Sequence, residues 1–220
     1  MDHLPGQIIP PGTVLAITSK IFSISEQNLH PRDGSDKHDI ARADADFVIG
    51  DVGYGSMLTV ARGVMILSAG IDESNSPDGS FILYPRDPAA SLFTLYQELC
   101  AVVGHNQFGL IMTDSRSAPL RNGVVGVALA CCGFQGLRDR IGDRDLFGRP
   151  LKSTKINIAD ALAAACVLMM GEADEAQPLA IVTGAEVIFT PHDTTPDIAM
   201  PYDRDMYEPL LAALRGRQRI

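Results

Sequence analysis

The fold class is indicated most clearly by the segment 109–130, GLIMTDSRSAPLRNGVVGVALA. This segment contains two apolar runs, Gly109–Thr113 and Val124–Ala130, whose β-branched residues and bordering glycines predict strands. The two runs follow each other without a helical pattern between them. Strands and helices therefore do not alternate strictly along the chain, and this favours an α+β fold with largely antiparallel sheets over a doubly wound sheet.

Working outward, other apolar runs predict three more strands, at Thr13–Thr18, Gly63–Leu67 and Leu179–Thr183. A helix is predicted over Asp87–Val103, because Asp-Pro suits a helix start and the apolar residues share one face. A second helix, Asn157–Met170, is apolar on nearly all sides and is therefore predicted to be buried, with Gly171 ending it. The polar stretch His30–Asp46 predicts a solvated loop or a short surface helix, and Asp203–Arg217 predicts a last exposed helix.

The composition is that of a globular protein. The 220 residues are 46% apolar and 20% charged, which excludes wholesale disorder and allows a core that needs no disulfides. With 27 acidic against 18 basic residues the net charge is −9, which disfavours a nucleic acid or an anionic membrane as partner. The four cysteines form no C-x-x-C pair and are predicted to be buried thiols. We find no secretory signal and no run of 18 apolar residues, and therefore expect a cytoplasmic protein.

Several common catalytic signatures are absent from the sequence. There is no G-x-G-x-x-G or G-x-x-x-x-G-K-[ST] motif, so the dinucleotide-binding and P-loop folds are not predicted. There is no G-x-S-x-G nucleophile elbow. The five histidines do not pair with Cys or His at the spacing of zinc ligands.

Two aspartates follow directly after apolar strand patterns. Asp72 follows the 63–67 run and lies beside Ser74 and Asn75, whereas Asp114 follows GLIMT and lies beside Ser115. Carboxylate, hydroxyl and amide oxygens are the ligands that Mg²⁺ and Mn²⁺ prefer, and these ions usually share them with substrate phosphates. The alternative is that each aspartate only caps a turn.

Two further charged residues fit phosphate chemistry. Lys20 is predicted to close the first strand, where its ammonium is available to a phosphate or simply solvated. Glu172 follows the apolar helix and supplies another carboxylate at a helix end. Taken residue by residue, the sequence predicts metal-dependent phosphate or nucleotide chemistry and leaves the substrate open.

These same stretches resemble one known family, the coenzyme F420-0 γ-glutamyl ligases. The matching segments, in the family's order, are VLAITSKIFSISE, SAGIDESN, YPRDPAAS, LIMTDS, RNGVVGVAL, DRDLFGRPL and ADALAAACVLMMGE. They cover most of residues 13–184, and the combination of GIDESN, DLFGR and MGE is specific. The resemblance predicts a single domain over residues 1–220, of which 185–220 form a C-terminal extension.

The resemblance implies a GTP-dependent amide ligase. Such an enzyme joins the amino group of L-glutamate to a carboxylate of coenzyme F420-0, a phospholactyl deazaflavin, or of a related small-molecule acceptor, through an acyl phosphate. It also implies two divalent cations, Mg²⁺ or Mn²⁺, with ATP as an alternative to GTP. The implied fold is a mixed α+β arrangement that forms an intertwined homodimer.

Residue by residue, the resemblance implies two sets of site residues. The implied metal ligands are Asp72, Asp114, Ser115 and Glu172. The implied nucleotide-binding residues are Ser19, Lys20, Asn75 and Gly171.

The chain departs from the family pattern where cations are expected. Ile24, Ala118 and Thr183 stand at positions where the family has basic residues, and Ala173–Ala176 adds two acids to a stretch that is glycine-rich in the family. Losing cations and adding acids disfavours triphosphate binding. Three functions therefore stay open: a ligase of this family, a protein of the same fold that has lost ligation and serves as a binding or regulatory module, and a metal-dependent phosphohydrolase.

Overall fold

The computed structural model describes residues 9–53, 55–76 and 78–211. The strands are β1 Thr13–Thr18, β2 Leu29–His30, β3 Phe47–Gly53, β4 Ser56–Ala61, β5 Val64–Leu67, β6 Phe81–Ile82, β7 Phe108–Ser117, β8 Val124–Phe134, β9 Leu137–Asp139, β10 Lys155–Asn157, β11 Leu179–Thr183 and β12 Phe189–Asp193. The helices are α1 Ser19–Ser25, α2 Lys37–Asp44, α3 Pro88–Val103, α4 Ile158–Met170, α5 Thr195–Ile198 and α6 Glu208–Leu211, with a 3-10 turn at Ser68–Gly70. The α+β prediction is confirmed.

The main sheet has five strands in the order β11-β1-β7-β8-β12. Strands β1 and β7 pair in parallel, and the other three pairs of this sheet are antiparallel. The long pair β7–β8 runs from Leu110 opposite Cys132 to Ser117 opposite Val124, with a bulge between Met112 and Thr113. This pair extends from the buried core to the surface.

Both central strands are longer than the apolar runs that predict them. The run Gly109–Thr113 lies inside β7, which continues to Ser117, so the prediction that Asp114 follows the strand is wrong. The polar half of β7 stays extended because β8 pairs with it residue by residue as far as Val124. A carboxylate at position 114 is consequently held by a paired strand rather than by a turn.

The main sheet is packed between two helices. Leu110 and Met112 pack with α3 on one face, and Ile111 packs with α4 on the other, as alternate residues of a strand must. Adjacent Cys131 and Cys132 likewise belong to opposite faces, and all four cysteines are free. Burial raises the pKa of Cys131 to about 12, which makes it an inert thiol.

The two helices begin and end where the sequence predicts. The carboxylate of Asp87 accepts a hydrogen bond from the backbone N–H of Ala90 at the start of α3, and the amide oxygen of Asn157 does the same for α4. The predicted burial of α4 holds for one face only. Leu168 and Met169 are 81% and 72% exposed, because the main sheet covers a single side of the helix.

The three-stranded sheet β3-β4-β5 was predicted only at β5. Strand β3 carries Gly50 and Gly53, and its residues are half-buried or exposed with none fully buried, which weakens its pattern. Buried Thr59 of β4 donates a hydrogen bond to the carbonyl of Ile66 and accepts one from the N–H of Ala69. Thr59 thereby fixes the 3-10 turn Ser68–Gly70, which leads into residues 72–75, here called the DESN segment.

Two remaining expectations concern the surface of the molecule. The stretch 30–46 contains the short helix α2, as one of its two predictions stated. Of the predicted tail helix Asp203–Arg217, only Glu208–Leu211 is helical among the described residues. Residues 203–207 form turns, so the predicted start is wrong, and the part beyond residue 211 lies outside the described residues. Among the described residues, no helix combines the length and apolar character needed to cross a membrane.

Candidate functional site

A cleft of about 480 Å³ lies between α1, the polar half of β7 and the segment that follows α4. Six of the eight predicted site residues line it: Lys20, Asn75, Asp114, Ser115, Gly171 and Glu172. They come from four separate parts of the chain. Asp72 does not line this cleft but is ion-paired with Lys20, which does. Ser19 also lies outside the cleft.

Lys20 joins the cleft to Asp72. Its ammonium Nζ lies 2.6 Å from Asp72 Oδ2 and 3.5 Å from Ser74 Oγ. Strand β1 ends at Thr18 and α1 begins at once, so Lys20 stands in the first turn of this helix, and the prediction that it closes the strand is wrong. Because of this helical turn, the ammonium lies beside Asp72 and Ser74 of the DESN segment.

Asp72 has the turn-capping role that the sequence offered as one of two alternatives, and its role as a metal ligand stays a prediction. Its backbone N–H and carbonyl both pair with Ile82, and its carboxylate Oδ1 accepts hydrogen bonds from Ser74 N and Ser74 Oγ at 2.7 Å each. It therefore caps a turn, and its carboxylate also faces Lys20, which among the described residues is the one cationic side chain of the adjoining cleft. Burial opposes the charged form of Asp72, but the Lys20 and Ser74 donors outweigh it and lower the pKa of the carboxyl.

Asp114 is held by a residue that sequence reasoning missed. The hydroxyl of Tyr84 donates a hydrogen bond to Asp114 Oδ2. Burial raises the pKa of Asp114 to about 6, although Tyr84, the backbone of Ser115 and Lys20 all favour its charged form. Burial and the Asp114 carboxylate together raise the pKa of Tyr84 well above its ordinary value, so that this hydroxyl remains a donor. The YPRDPAAS stretch is the one sequence signal that contained Tyr84.

Two hydrogen bonds close the far side of the cleft. Ser115 Oγ donates to Glu172 Oε1 at 2.6 Å, and Asn75 Nδ2 donates to the carbonyl of Ala173 at 3.0 Å. The second bond joins residues 98 positions apart, so the DESN segment and the segment after α4 are in direct contact.

The turn after α4 is built around Gly171 and Glu175. Gly171 has a φ of +83°, and a Cβ there would lie 2.2 Å from the carboxylate carbon of Glu175. That carboxylate accepts a hydrogen bond from the N–H of Ala173 at 2.8 Å, and this bond lowers its pKa. With Asp114, Glu172 and Asp174 also lining the cleft, Lys20 is its one basic side chain among the described residues. A phosphate entering here needs additional cations.

Ser19, Ile24 and Thr183 differ in how they are placed relative to the cleft. Ser19 is a predicted site residue, and the other two stand where the family has basic residues. Ser19 is buried, and its carbonyl accepts a hydrogen bond from Ser23 Oγ at 3.2 Å, so its side chain is not available to a nucleotide from the cleft. Ile24 does line the cleft, where an apolar side chain replaces the expected cation. Thr183 lies in exposed β11 and does not line it.

The donor set of the cleft suits a hard divalent cation. Asp114, Ser115 and Glu172 present carboxylate and hydroxyl oxygens, the chemistry that Mg²⁺ and Mn²⁺ prefer. Over the described ranges no three His, Cys, Asp or Glu side chains are grouped closely enough to hold a metal ion by themselves. Open sites of this kind are completed by substrate phosphates, which is the usual arrangement for Mg²⁺.

Comparisons with known proteins point to one family. The profile of the family described as F420-0:Gamma-glutamyl ligase matches residues 5–184. A coenzyme F420:L-glutamate ligase of Methanopyrus kandleri is 39% identical over 191 residues, which cover 79% of this chain and 75% of that protein. Proteins of the same name from Methanothermobacter thermautotrophicus and Methanocaldococcus jannaschii are each 38% identical, over 66% and 71% of this chain. The matches span 54% and 62% of those two relatives.

Proposed function

The chain belongs to the F420-0:γ-glutamyl ligase family, and we propose that it is a ligase that uses GTP to join L-glutamate to a carboxylate of coenzyme F420-0 or of a related acceptor. The observation that supports this most is the cleft itself. Residues from four separate parts of the chain, each from a stretch that resembles the family, converge there. Matched relatives carry the name coenzyme F420:L-glutamate ligase.

The chemistry of amide formation sets what the cleft must do. An oxygen of the acceptor carboxylate attacks the γ-phosphorus of GTP, and GDP leaves with the electron pair of the broken P–O bond. The nitrogen of glutamate then attacks the acyl carbon, inorganic phosphate leaves, and the amine loses a proton. Each step brings anions together, so the protein must orient them and neutralise their charge.

The residues of the cleft fit these demands in different ways. We assign Asp114, Ser115 and Glu172 to hold a divalent cation, with Asp72 as a further carboxylate that Lys20 keeps ionised. When bound, Mg²⁺ or Mn²⁺ neutralises phosphate charge. Lys20 supplies a point charge for a phosphate oxygen. Asn75 and Gly171 shape the wall beside the nucleotide, Asn75 through its bond to Ala173.

A second candidate is a binding module that keeps the fold without ligation. Ile24 presents an apolar side chain to the cleft, and Asp174 and Glu175 add negative charge beside it. With a single lysine against four carboxylates, the cleft repels a triphosphate unless divalent cations accompany it. Both candidates therefore need a divalent cation to bind a nucleotide here, and formation of the glutamyl product is the property that separates them.

Homodimerisation is part of the proposal. Apolar side chains that are exposed in the single chain offer a surface for a second copy: Leu146, Phe147, Leu168, Met169 and Ile181. Light scattering coupled to gel filtration measures this directly. A monomer at micromolar concentration would remove the dimer from the proposal and leave the cleft unaffected.

The first experiment titrates GTP, and then ATP, into the protein by calorimetry with and without Mn²⁺. We expect Mn²⁺-dependent binding of GTP in the micromolar range, about −8 kcal/mol. The same samples then receive glutamate and coenzyme F420-0, and mass spectrometry detects the glutamyl product. Binding without product favours the binding module, and phosphate release without product favours a phosphohydrolase. Absence of binding by both nucleotides would contradict the ligase.

A further inference from the structure

Tyr84 is a buried polar residue that the proposed reaction does not use. It is 2% exposed, and its hydroxyl donates to Asp114 Oδ2. Its backbone carbonyl accepts a hydrogen bond from the side-chain amide of Asn28 at 2.5 Å. Both ends of the residue are therefore fixed, and the phenol has little freedom to choose another partner.

The ring of Tyr84 also touches the segment that leads to Asp72. A Cβ at Gly70 would lie 2.2 Å from Tyr84 Cζ, so only glycine leaves room for the ring at that position. Gly70 precedes Asp72 by two residues. Tyr84 thus packs against the backbone that leads to Asp72, which lies outside the named strands, and binds the carboxylate of Asp114 in the main sheet.

A second buried tyrosine, Tyr96, has an ordinary hydrogen-bond partner, a backbone carbonyl. Tyr96 is also 2% exposed, and its hydroxyl donates to the carbonyl of Asn106 at 3.3 Å, beside the loop that follows α3. A backbone carbonyl is enough to satisfy a buried phenol. Tyr84 instead binds a carboxylate that lines the cleft, and this bond restricts rotation of the Asp114 side chain.

We propose that Tyr84 is a positioning residue, which fixes one oxygen of Asp114 so that the carboxylate is held in one orientation toward a divalent cation in the cleft. The inference rests on the proposed function, since it takes Asp114 as a metal ligand. Carboxylates that bind metals are commonly oriented by such outer hydrogen bonds, and losing one typically costs about 10- to 100-fold in metal affinity.

The test compares Tyr84→Phe with Tyr96→Phe. Each variant loses one buried hydroxyl and keeps its ring, so the packing of residue 84 on Gly70 is retained. Mn²⁺ binding in the presence of GTP is measured by electron paramagnetic resonance. We expect the Kd for Mn²⁺ to rise about 10- to 100-fold in Tyr84→Phe, with an altered spectrum of the bound ion, and to stay unchanged in Tyr96→Phe.

Three results would overturn the inference, and they are distinguishable. An unchanged Kd in Tyr84→Phe overturns it while leaving the proposed function in place. Equal weakening in both variants assigns the effect to stability alone and overturns it too. Absence of Mn²⁺ binding by the unaltered protein contradicts the metal role of Asp114, and with it the proposed function.

A measurement on the unaltered side chain covers the case in which Tyr84→Phe does not fold. The protein is labelled with fluorotyrosine, and the Tyr84 signal is assigned by replacing the other four tyrosines one at a time with Phe. Titration with Mg²⁺ and GTP should shift the fluorine resonance of Tyr84 and leave that of Tyr96 in place. A Tyr84 resonance that does not move would overturn the inference.

Discussion

Two hollows lie on either side of α1, and the larger one is lined by fewer polar and charged side chains. A groove of about 680 Å³ between α1, α3 and β1 is lined mainly by apolar side chains, whereas the acidic cleft on the other side measures about 480 Å³. Ile21 lines both. The groove is larger and mainly apolar, whereas the cleft is lined by polar and oppositely charged side chains from four parts of the chain. Convergence of polar side chains, and not size, identifies the candidate site.

The charged groups of the two hollows also differ in what they bind. Glu26 of the groove accepts a hydrogen bond from Ser91 Oγ at 2.5 Å, and this contact ties α1 to α3. Asp114 and Glu172 of the cleft face a space that a ligand can enter. A seven-residue helix separates the two environments because Phe22 and Ser25 point to the groove while Lys20 and Ile24 point to the cleft.

The largest expected effect comes from Asp114→Asn. It removes the charge of a predicted metal ligand without changing its size, and we expect ligation to fall about a thousandfold. Thr94→Val in the groove is the control, because Thr94 bonds only the carbonyl of Ala90 in its own helix. Rates are measured with GTP, glutamate and the acceptor, and circular dichroism checks the fold. Full activity in Asp114→Asn would contradict the site assignment.

The next largest effect is expected on the free energy of unfolding, through the packing of the Tyr84 ring against Gly70. Gly70 and Gly104 both have positive φ, at +74° and +79°, so alanine strains the backbone at either position. At Gly70 the new Cβ also overlaps the ring of Tyr84, whereas at Gly104 nothing lies within 4 Å. We expect Gly70→Ala to lower the free energy of unfolding by about 2 kcal/mol more than Gly104→Ala does. Urea unfolding measures both, and equal losses would argue against close packing at Gly70.

A smaller effect is expected from Lys20→Met. The change removes the cleft's ammonium and frees Asp72, so the Kd for GTP with Mn²⁺ should rise about tenfold, as for loss of one charged hydrogen bond. Lys155→Met is the control, because Lys155 pairs with Asp139 outside both hollows. Calorimetry reports both Kd values. A GTP affinity unaffected by Lys20→Met would mean that the ammonium serves Asp72 alone.

Local patterns predicted the parts of the fold in which burial and backbone pairing repeat over a few residues. Strands β1 and β11 and the helices α3 and α4 match their predicted ranges to within about a residue, because apolar periodicity and capping residues are local signals. Strand β3, which contains two glycines and no fully buried residue, produced no such signal. The polar end of β7 was missed because its extended conformation depends on its partner β8.

The residues of the candidate site also divide into those that local patterns predicted and those that they did not. The acidic residues at 72, 114 and 172 were predicted because each follows an apolar pattern, and their binding of a metal stays a prediction. Tyr84 was missed because its partner lies 30 residues away, and the burial of Ser19 was missed because it is not visible in its neighbours.

The α+β class, the family and the residue types available for phosphate chemistry could all be inferred from the sequence. Which of those residues are in contact became known from the packed fold: the ion pair of Lys20 with Asp72, the bond of Tyr84 to Asp114, and the contact of Asn75 with Ala173. The physical reason is that secondary structure follows from interactions between residues close in the chain, whereas these contacts join residues 30 to 98 positions apart and form only when the sheets and helices pack.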